Sequence, residues 1–316
     1  MNRKIAMLLF IAVFGCINSC GSRQSLQSMR ADDNINNYNI ETEIEAETPV
    51  PTRAELVMRA VFDAYREHME KIEFRNNDWA VLLRGTWFYY AGGRMLPEEE
   101  LSNEANYRSL QFYNYPANLP EWVKPTDEET ERYKSWTTTR SQTQIRRSNF
   151  FLDTLWQAST RVQTENNMVR ITFLGKRTNI HKDIQETLAR VETRIQEIAK
   201  TENEVQTWIN SLNQLEGYGW RNIADTQSRS YHSYGLAVDL LPRSMGSRQT
   251  YWLWTSQYRE DWWNVSYRER YHPPESVIKT FESFGFVWGG KWPLFDTMHF
   301  EYRPEILILN GLMSKN

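Results

Sequence analysis

Beyond Cys20 the chain has no cysteine, so no disulfide staples its body, and core packing or a bound metal must supply stability. Apolar character is scarce too: a mean hydropathy of -0.67 excludes a polytopic membrane protein. Charge of one sign is also missing. The net charge is -3, with Lys, Arg, Asp and Glu interleaved rather than blocked, so there is no electrostatic footprint for nucleic acid and no nucleic-acid partner is expected. What the chain has instead is length and rings. Its 316 residues suffice for one large domain or two modest ones, and aromatics make up 14 %, including 13 Trp. Such rings suit grooves for flat or sugar-like surfaces, or a Trp-rich core. Nothing calls for an oligomer, and a monomer is the expectation.

Both cysteines close a short apolar run. Asn2-Arg3-Lys4 followed by Ile5 to Phe14 has the form of a secretory signal, too short for a membrane span. Val13-Phe14-Gly15-Cys16 resembles a bacterial lipobox, and Ile17-Asn18-Ser19-Cys20 matches less well because of Asn18. The expectation is export to the cell envelope and anchoring by a lipid on Cys16. Lipidation of Cys20, plain secretion, an uncleaved anchor and a Cys16 to Cys20 disulfide are the alternatives. Residues 21 to 52, rich in Ser, Asn, Gln and Glu and ending near Pro49-Val50-Pro51, carry too little apolar content to fold and read as a tether.

From residue 53 the periodicities predict structure. Leu56, Ala60, Val61, Ala64 and Met69 recur at helical spacing, which predicts a helix to about Ile72. Trp79 to Leu83, Arg84-Gly85 and Thr86 to Tyr90 read as strand, tight turn and strand. Residues 107 to 136, broken by prolines, read as an irregular connection. Helical patterning over 144 to 163, a strand over 168 to 174 and helix over 180 to 215, broken near Thr201, lead into a small sheet beyond Gly217. The class is α+β: a mostly antiparallel sheet with flanking helices over 151 to 316, preceded by a helix-and-hairpin region of unknown role over 53 to 150.

The chemistry gathers at the C-terminal end. Of five histidines, His232 precedes Leu236-Ala237-Val238-Asp239-Leu240-Leu241, a strand pattern in which Asp239 needs a partner or a cation. His299 lies in Met298-His299-Phe300-Glu301-Tyr302, three residues after Asp296. Two imidazoles and a carboxylate hold a zinc ion with one position open, and a further carboxylate beside the last ligand can handle a proton. His68 and His181 read as surface positions on helices, and His272, before Pro273-Pro274, belongs to no paired motif. Glu301 and Tyr302 read as structural. The aromatic segment with Tyr251-Trp252-Leu253-Trp254 and Asp261-Trp262-Trp263 reads as a brace, with a lid or a glycan-facing wall as the alternative.

Ser230-x-His232-x-x-Gly235-x-Ala237-x-Asp239 followed by Asp296-x-x-His299 resembles the zinc peptidase family of the D-alanyl-D-alanine carboxypeptidases and L-alanyl-D-glutamate endopeptidases. Phe286-Val287-Trp288-Gly289-Gly290-Lys291-Trp292, Phe295-Asp296 and Arg221 in Gly219-Trp220-Arg221 resemble the endopeptidase branch. The likeness covers about residues 170 to 305. It implies a fold like that of the hedgehog and D,D-peptidase domains, with His232, Asp239 and His299 as zinc ligands and Asp296 as general base. It also implies substrate contacts from Arg221, Ser230 and Trp288, with Ser230 bracing the site as its other role. The implied activity is zinc-dependent hydrolysis of peptidoglycan stem peptides, as a D,D-carboxypeptidase or an endopeptidase. A non-catalytic envelope lipoprotein that binds cell-wall peptide through the same fold is the alternative.

Overall fold

The structure, a computed structural model, describes residues 50–314 apart from 111, 140, 141, 143 and 144. The expected signal, Cys16 and Cys20, and all but the end of the tether lie outside the described residues. Among the described residues no helix is long and apolar enough to cross a membrane.

Helix α1 (Arg53–Ala64) starts where Thr52 accepts a hydrogen bond from the Glu55 amide at 3.2 Å, and it buries Val57, Met58 and Val61. It does not continue to Ile72. Met69–Arg75 is strand β1, since Ile72 and Phe74 alternate with Lys71, Glu73 and Arg75, and the left-handed pair Asn76-Asn77 turns the chain into β2 (Asp78–Leu83). Arg84-Gly85, at φ 49° and 77°, makes the next tight turn into β3 (Thr86–Tyr89), and β4 (Leu96–Pro97) completes an antiparallel sheet in the order β1-β2-β3-β4. The expected hairpin is thus the middle of a four-stranded sheet.

The connection that follows is more ordered than its prolines suggest. Strand β5 (Tyr107–Arg108) precedes helix α2 (Asp127–Thr139) and pairs in parallel with β6 (Arg146–Arg147). A reciprocal box starts α2: Thr126 Oγ1 accepts from the Glu129 amide at 3.2 Å, and Glu129 accepts from the Thr126 amide at 2.9 Å.

Short helices α3 (Phe150–Leu155) and α4 (Arg161–Glu165) lead to a hairpin of β7 (Met168–Phe173) and β8 (Lys176–His181), turned by Leu174-Gly175. His181 is therefore no surface helix residue. It closes β8, is buried, and donates a ring N–H to the Trp156 carbonyl at 3.0 Å. Helices α5 (Gln185–Ala199) and α6 (Asn203–Ser211) flank the expected break at Thr201. Then come β9 (Leu212–Glu216), β10 (Ala237–Pro242), α7 (Trp252–Thr255), α8 (Glu275–Ser283), β11 (Phe286–Trp288), β12 (His299–Tyr302) and α9 (Pro304–Leu309).

The second sheet runs β11-β12-β10-β9, all antiparallel, and the register sets Asp239 opposite His299. The protein is α+β with small antiparallel sheets between helices. Residue 150 marks no break in packing. One apolar cluster includes Val57, Met58 and Val61 of α1 together with Val238 of β10, Phe281 of α8 and Phe300 of β12, and α1 lies against α9.

Candidate metal centre

His232 sits in a short 3-10 turn, Tyr231–Tyr234, that ends at Gly235 in the left-handed region at φ 68°. A Cβ at Gly235 would lie 2.6 Å from both the His181 amide nitrogen and the Met168 sulfur, so only glycine lets the turn pack there. Ser230 caps this turn, its hydroxyl accepting from the His232 amide at 3.3 Å, and its own amide donates to the Arg221 carbonyl at 3.1 Å. Ser230 is buried, and both of these bonds tie it to backbone.

Three buried side chains from the turn, β10 and β12 converge. His232 Nε2 lies 3.2 Å from Asp239 Oδ1 and 3.2 Å from His299 Nδ1, which is itself 2.9 Å from the same Asp239 oxygen. The outer ring nitrogens are already committed. His232 Nδ1 donates to the Gly217 carbonyl at 2.6 Å, and His299 Nε2 donates to Glu301 Oε2 at 3.1 Å. A carbonyl only accepts, so neutral His232 turns the lone pair of Nε2 inward, and neutral His299 likewise turns that of Nδ1. Two lone pairs and a carboxylate oxygen facing one point repel unless a positive charge sits between them. Burial opposes protonation of His299, but the hydrogen bonds and charges of Asp239 and Glu301 hold it well above the ordinary histidine range. Asp239 is held far below the ordinary carboxylate range, since its bonds and charge interactions with His232 and His299 outweigh burial. Two imidazole nitrogens and one carboxylate oxygen are a donor set that fits zinc.

Glu301 is one end of a buried chain of charge. Its other oxygen lies 3.4 Å from Arg303 Nη1, the Arg303 Nε–H is bonded to Glu305, and Glu305 accepts from Tyr65 Oη of the α1 end at 2.6 Å. Glu301, read from sequence as structural, thus touches a metal-site histidine directly, and it orients that ring and raises its basicity. Glu301→Gln is expected to weaken zinc binding about 10- to 100-fold, measured by competition with a chromophoric chelator. Unchanged affinity would remove Glu301 from the site.

Asp296 reaches the centre on the loop between β11 and β12. Its Oδ1 is sealed from solvent and has no hydrogen-bond partner among the described residues. Burial and the nearby Asp239 charge push its carboxyl up to about 7, against opposing contributions from His299, the Met298 amide and Arg221. The loop is held from two sides. The Asp296 amide donates to Gly289 O at 3.1 Å, where a Cβ on Gly289 would fall 2.5 Å from Asp296 O. Buried Arg270 donates to Gly290 O at 2.9 Å and Trp292 O at 3.0 Å. The aromatic segment acts as the brace expected of it, with Trp252 and Trp262 packing on Phe295 and the Trp252 amide bonded to Phe295 O at 2.9 Å. No motif marks Arg270, and sequence reasoning missed it.

Arg221 borders the centre from a half-exposed position, with Nη2 3.9 Å from Asp239 Oδ2. Trp288 does not border it. It is 1 % exposed, stacks near Phe300 and spends its indole N–H on Thr297 O at 2.8 Å, so it is a core residue with no face for substrate. The indole beside the site is Trp292, whose ring centroid lies 5.6 Å from that of His299. His68 and His272 stand outside the cluster.

A sequence profile of the D-alanyl-D-alanine carboxypeptidase family matches residues 224–302, the stretch that carries His232, Asp239, Asp296 and His299. A second profile, described as a domain of unknown function, matches residues 57–112, from α1 to just beyond β5. No curated protein and no solved structure matches the chain.

Proposed function

We propose that this protein is a zinc-dependent peptidase that hydrolyses peptidoglycan stem peptides in the cell envelope, as a D,D-carboxypeptidase or an endopeptidase. The observation that carries the reading is the convergence of two lone-pair nitrogens and one carboxylate oxygen beside a second carboxylate that is not a ligand. The match of residues 224–302 to a peptidase family supports it. Location rests on the basic start and the lipobox-like run before Cys16.

His232, Asp239 and His299 would hold the metal, which when bound supplies Lewis acidity toward an attacking water and a peptide carbonyl. The protein supplies the rest. Glu301 and Gly217 O fix the two rings, so the donors are arranged before any ligand arrives. Asp296, sealed and without a hydrogen-bond donor on Oδ1 among the described residues, is poised to take the proton of the water and return it to the leaving amine. Arg221, half exposed at the rim, is placed to pair with a substrate carboxylate or to donate to the carbonyl under attack.

The test is incubation of the purified protein with muropeptides, with and without chelator. Release of D-alanine or of a cut stem, lost with chelator and restored by zinc, is the expected result. Neither product from protein carrying one zinc would overturn the enzymatic reading in favour of an envelope protein that only binds cell-wall peptide.

A further inference from the structure

A cavity of about 540 Å³ opens beside the metal centre, between the β7-β8 hairpin and β9, with Arg170, Arg177, Asn179, Gln214, Tyr218 and Arg221 in its wall. The register of the hairpin explains its chemistry. Arg170 pairs with Asn179 and Thr172 with Arg177, so both arginines stand on one face as diagonal neighbours. The neighbouring positions Ile171, Phe173 and Ile180 pack on the core from the other face. The hairpin is docked to the centre by the Tyr218 amide, which donates to Asn179 O at 2.7 Å. Gly217, next in the wall, is the residue whose carbonyl orients His232.

Charge in this cavity is unbalanced. The one carboxylate of its wall, Glu216, is held by Gln214 Nε2 at 2.7 Å, and Glu165 at its rim is paired with Arg161 at 2.8 Å. Arg194 on the adjacent α5 is likewise paired, with Glu197. Arg170 and Arg177 are exposed and take part in no ion pair among the described residues. Two unneutralised guanidiniums on one strand pair repel each other unless an anion comes between them, and a concave wall concentrates their field. Both lie before residue 224, outside the segment that matches the peptidase family.

We propose that this cavity is an anion subsite in which Arg170 and Arg177 receive a free side-branch carboxylate of the peptide substrate, with Arg221 lying between the subsite and the metal centre. The proposal rests on the peptidase reading for its ligand class, an acidic peptide. Guanidinium pairs bind carboxylates with two parallel hydrogen bonds each, so the subsite selects charge and geometry together. Arg170 and Arg177 are binding residues here, and proton transfer stays with Asp296.

The probes are the pentapeptide L-Ala-γ-D-Glu-L-Lys-D-Ala-D-Ala and its counterpart with the D-Glu α-carboxylate amidated. Calorimetric binding to zinc-loaded Asp296→Asn protein should favour the free acid about tenfold, one charge-assisted contact in magnitude, and Arg170→Gln with Arg177→Gln should abolish that preference. In the otherwise native protein the same pair of substitutions should raise KM for the acidic peptide about as much, with kcat within about twofold and the amidated peptide unaffected. Equal affinity for the two peptides with both arginines present, or no affinity for either, overturns the subsite. Binding is read without turnover, so failure of the native protein to cut either peptide counts against the peptidase reading alone. Both arginines are exposed, and an unchanged melting temperature confirms that the variants are folded.

Discussion

Replacing Asp296 by asparagine is expected to lower kcat about 10²- to 10⁴-fold while one equivalent of zinc still binds. The separation follows from geometry: the atoms that could hold zinc belong to His232, Asp239 and His299, and Asp296 does not belong to that cluster. Asparagine keeps the size of the side chain and removes the ability to accept a proton. The pH profile carries the sign. A base must be ionised to act, and the Asp296 carboxyl is pushed up to about 7 in the metal-free protein. A cation close by favours the ionised form, so activity should rise with pH through an apparent pKa at or below that value and then level off. In Asp296→Asn that rising limb should vanish. Its persistence, measured as kcat against pH, would move the general base elsewhere.

Asp239→Ala should abolish stoichiometric zinc binding and with it all hydrolysis above background, because it leaves two imidazoles whose lone pairs face each other. The same residue sets the pH dependence of the metal. His299 retains its proton well above the usual range in the metal-free protein, and zinc must displace it. Apparent affinity should therefore rise about tenfold per pH unit until the His299 pKa is passed. Stability without metal runs through the same pair. A raised histidine stabilises the fold fully below its unfolded pKa of about 6.5, and that contribution is lost as pH rises through the folded value. A depressed Asp239 stabilises above about 3.9, and its contribution is lost as pH falls through the folded value. Both contributions coexist between about pH 4 and 6.5, so thermal melts of chelated protein should show a shoulder there. Asp239→Ala should flatten that shoulder, and a native profile without it would show that the pair adds nothing to stability.

The cluster of His232, Asp239 and His299 is legible in sequence because its residues sit in short, dense patterns. Asp239 lies in a strand too apolar to leave a carboxylate unaccompanied, and His299 lies in a second strand that registers directly against it. Period alone failed where two periods fit. Met69 and Ile72 satisfy helical spacing, but Ile72 and Phe74 satisfy strand spacing as well, and the Asn76-Asn77 turn decided for the sheet. His181 was placed on a surface helix because the polar residues after Gly175 masked a hairpin. The prolines before residue 126 hid the capping box that starts α2. Trp288 sits in the segment that carries the family likeness, yet a motif says nothing of which way a ring faces. Burial within a sheet of four strands turned it inward and left Trp292 beside the site.

The buried line from His299 through Glu301, Arg303 and Glu305 ends on Tyr65, a residue of the segment matched to a domain of unknown function. The segment that matches the carboxypeptidase family is for that reason not portable. Cut out and joined to another chain, residues 224–302 would carry His232, Asp239 and His299 but would lose α9 and α1, and Glu301 and His299 would face water in place of a closed wall. Tyr65 and Glu305 form one contact across 240 positions of sequence, so change at either constrains what the other can become. The two matched segments are expected to travel through descent as a pair, the first as part of the casing of the second.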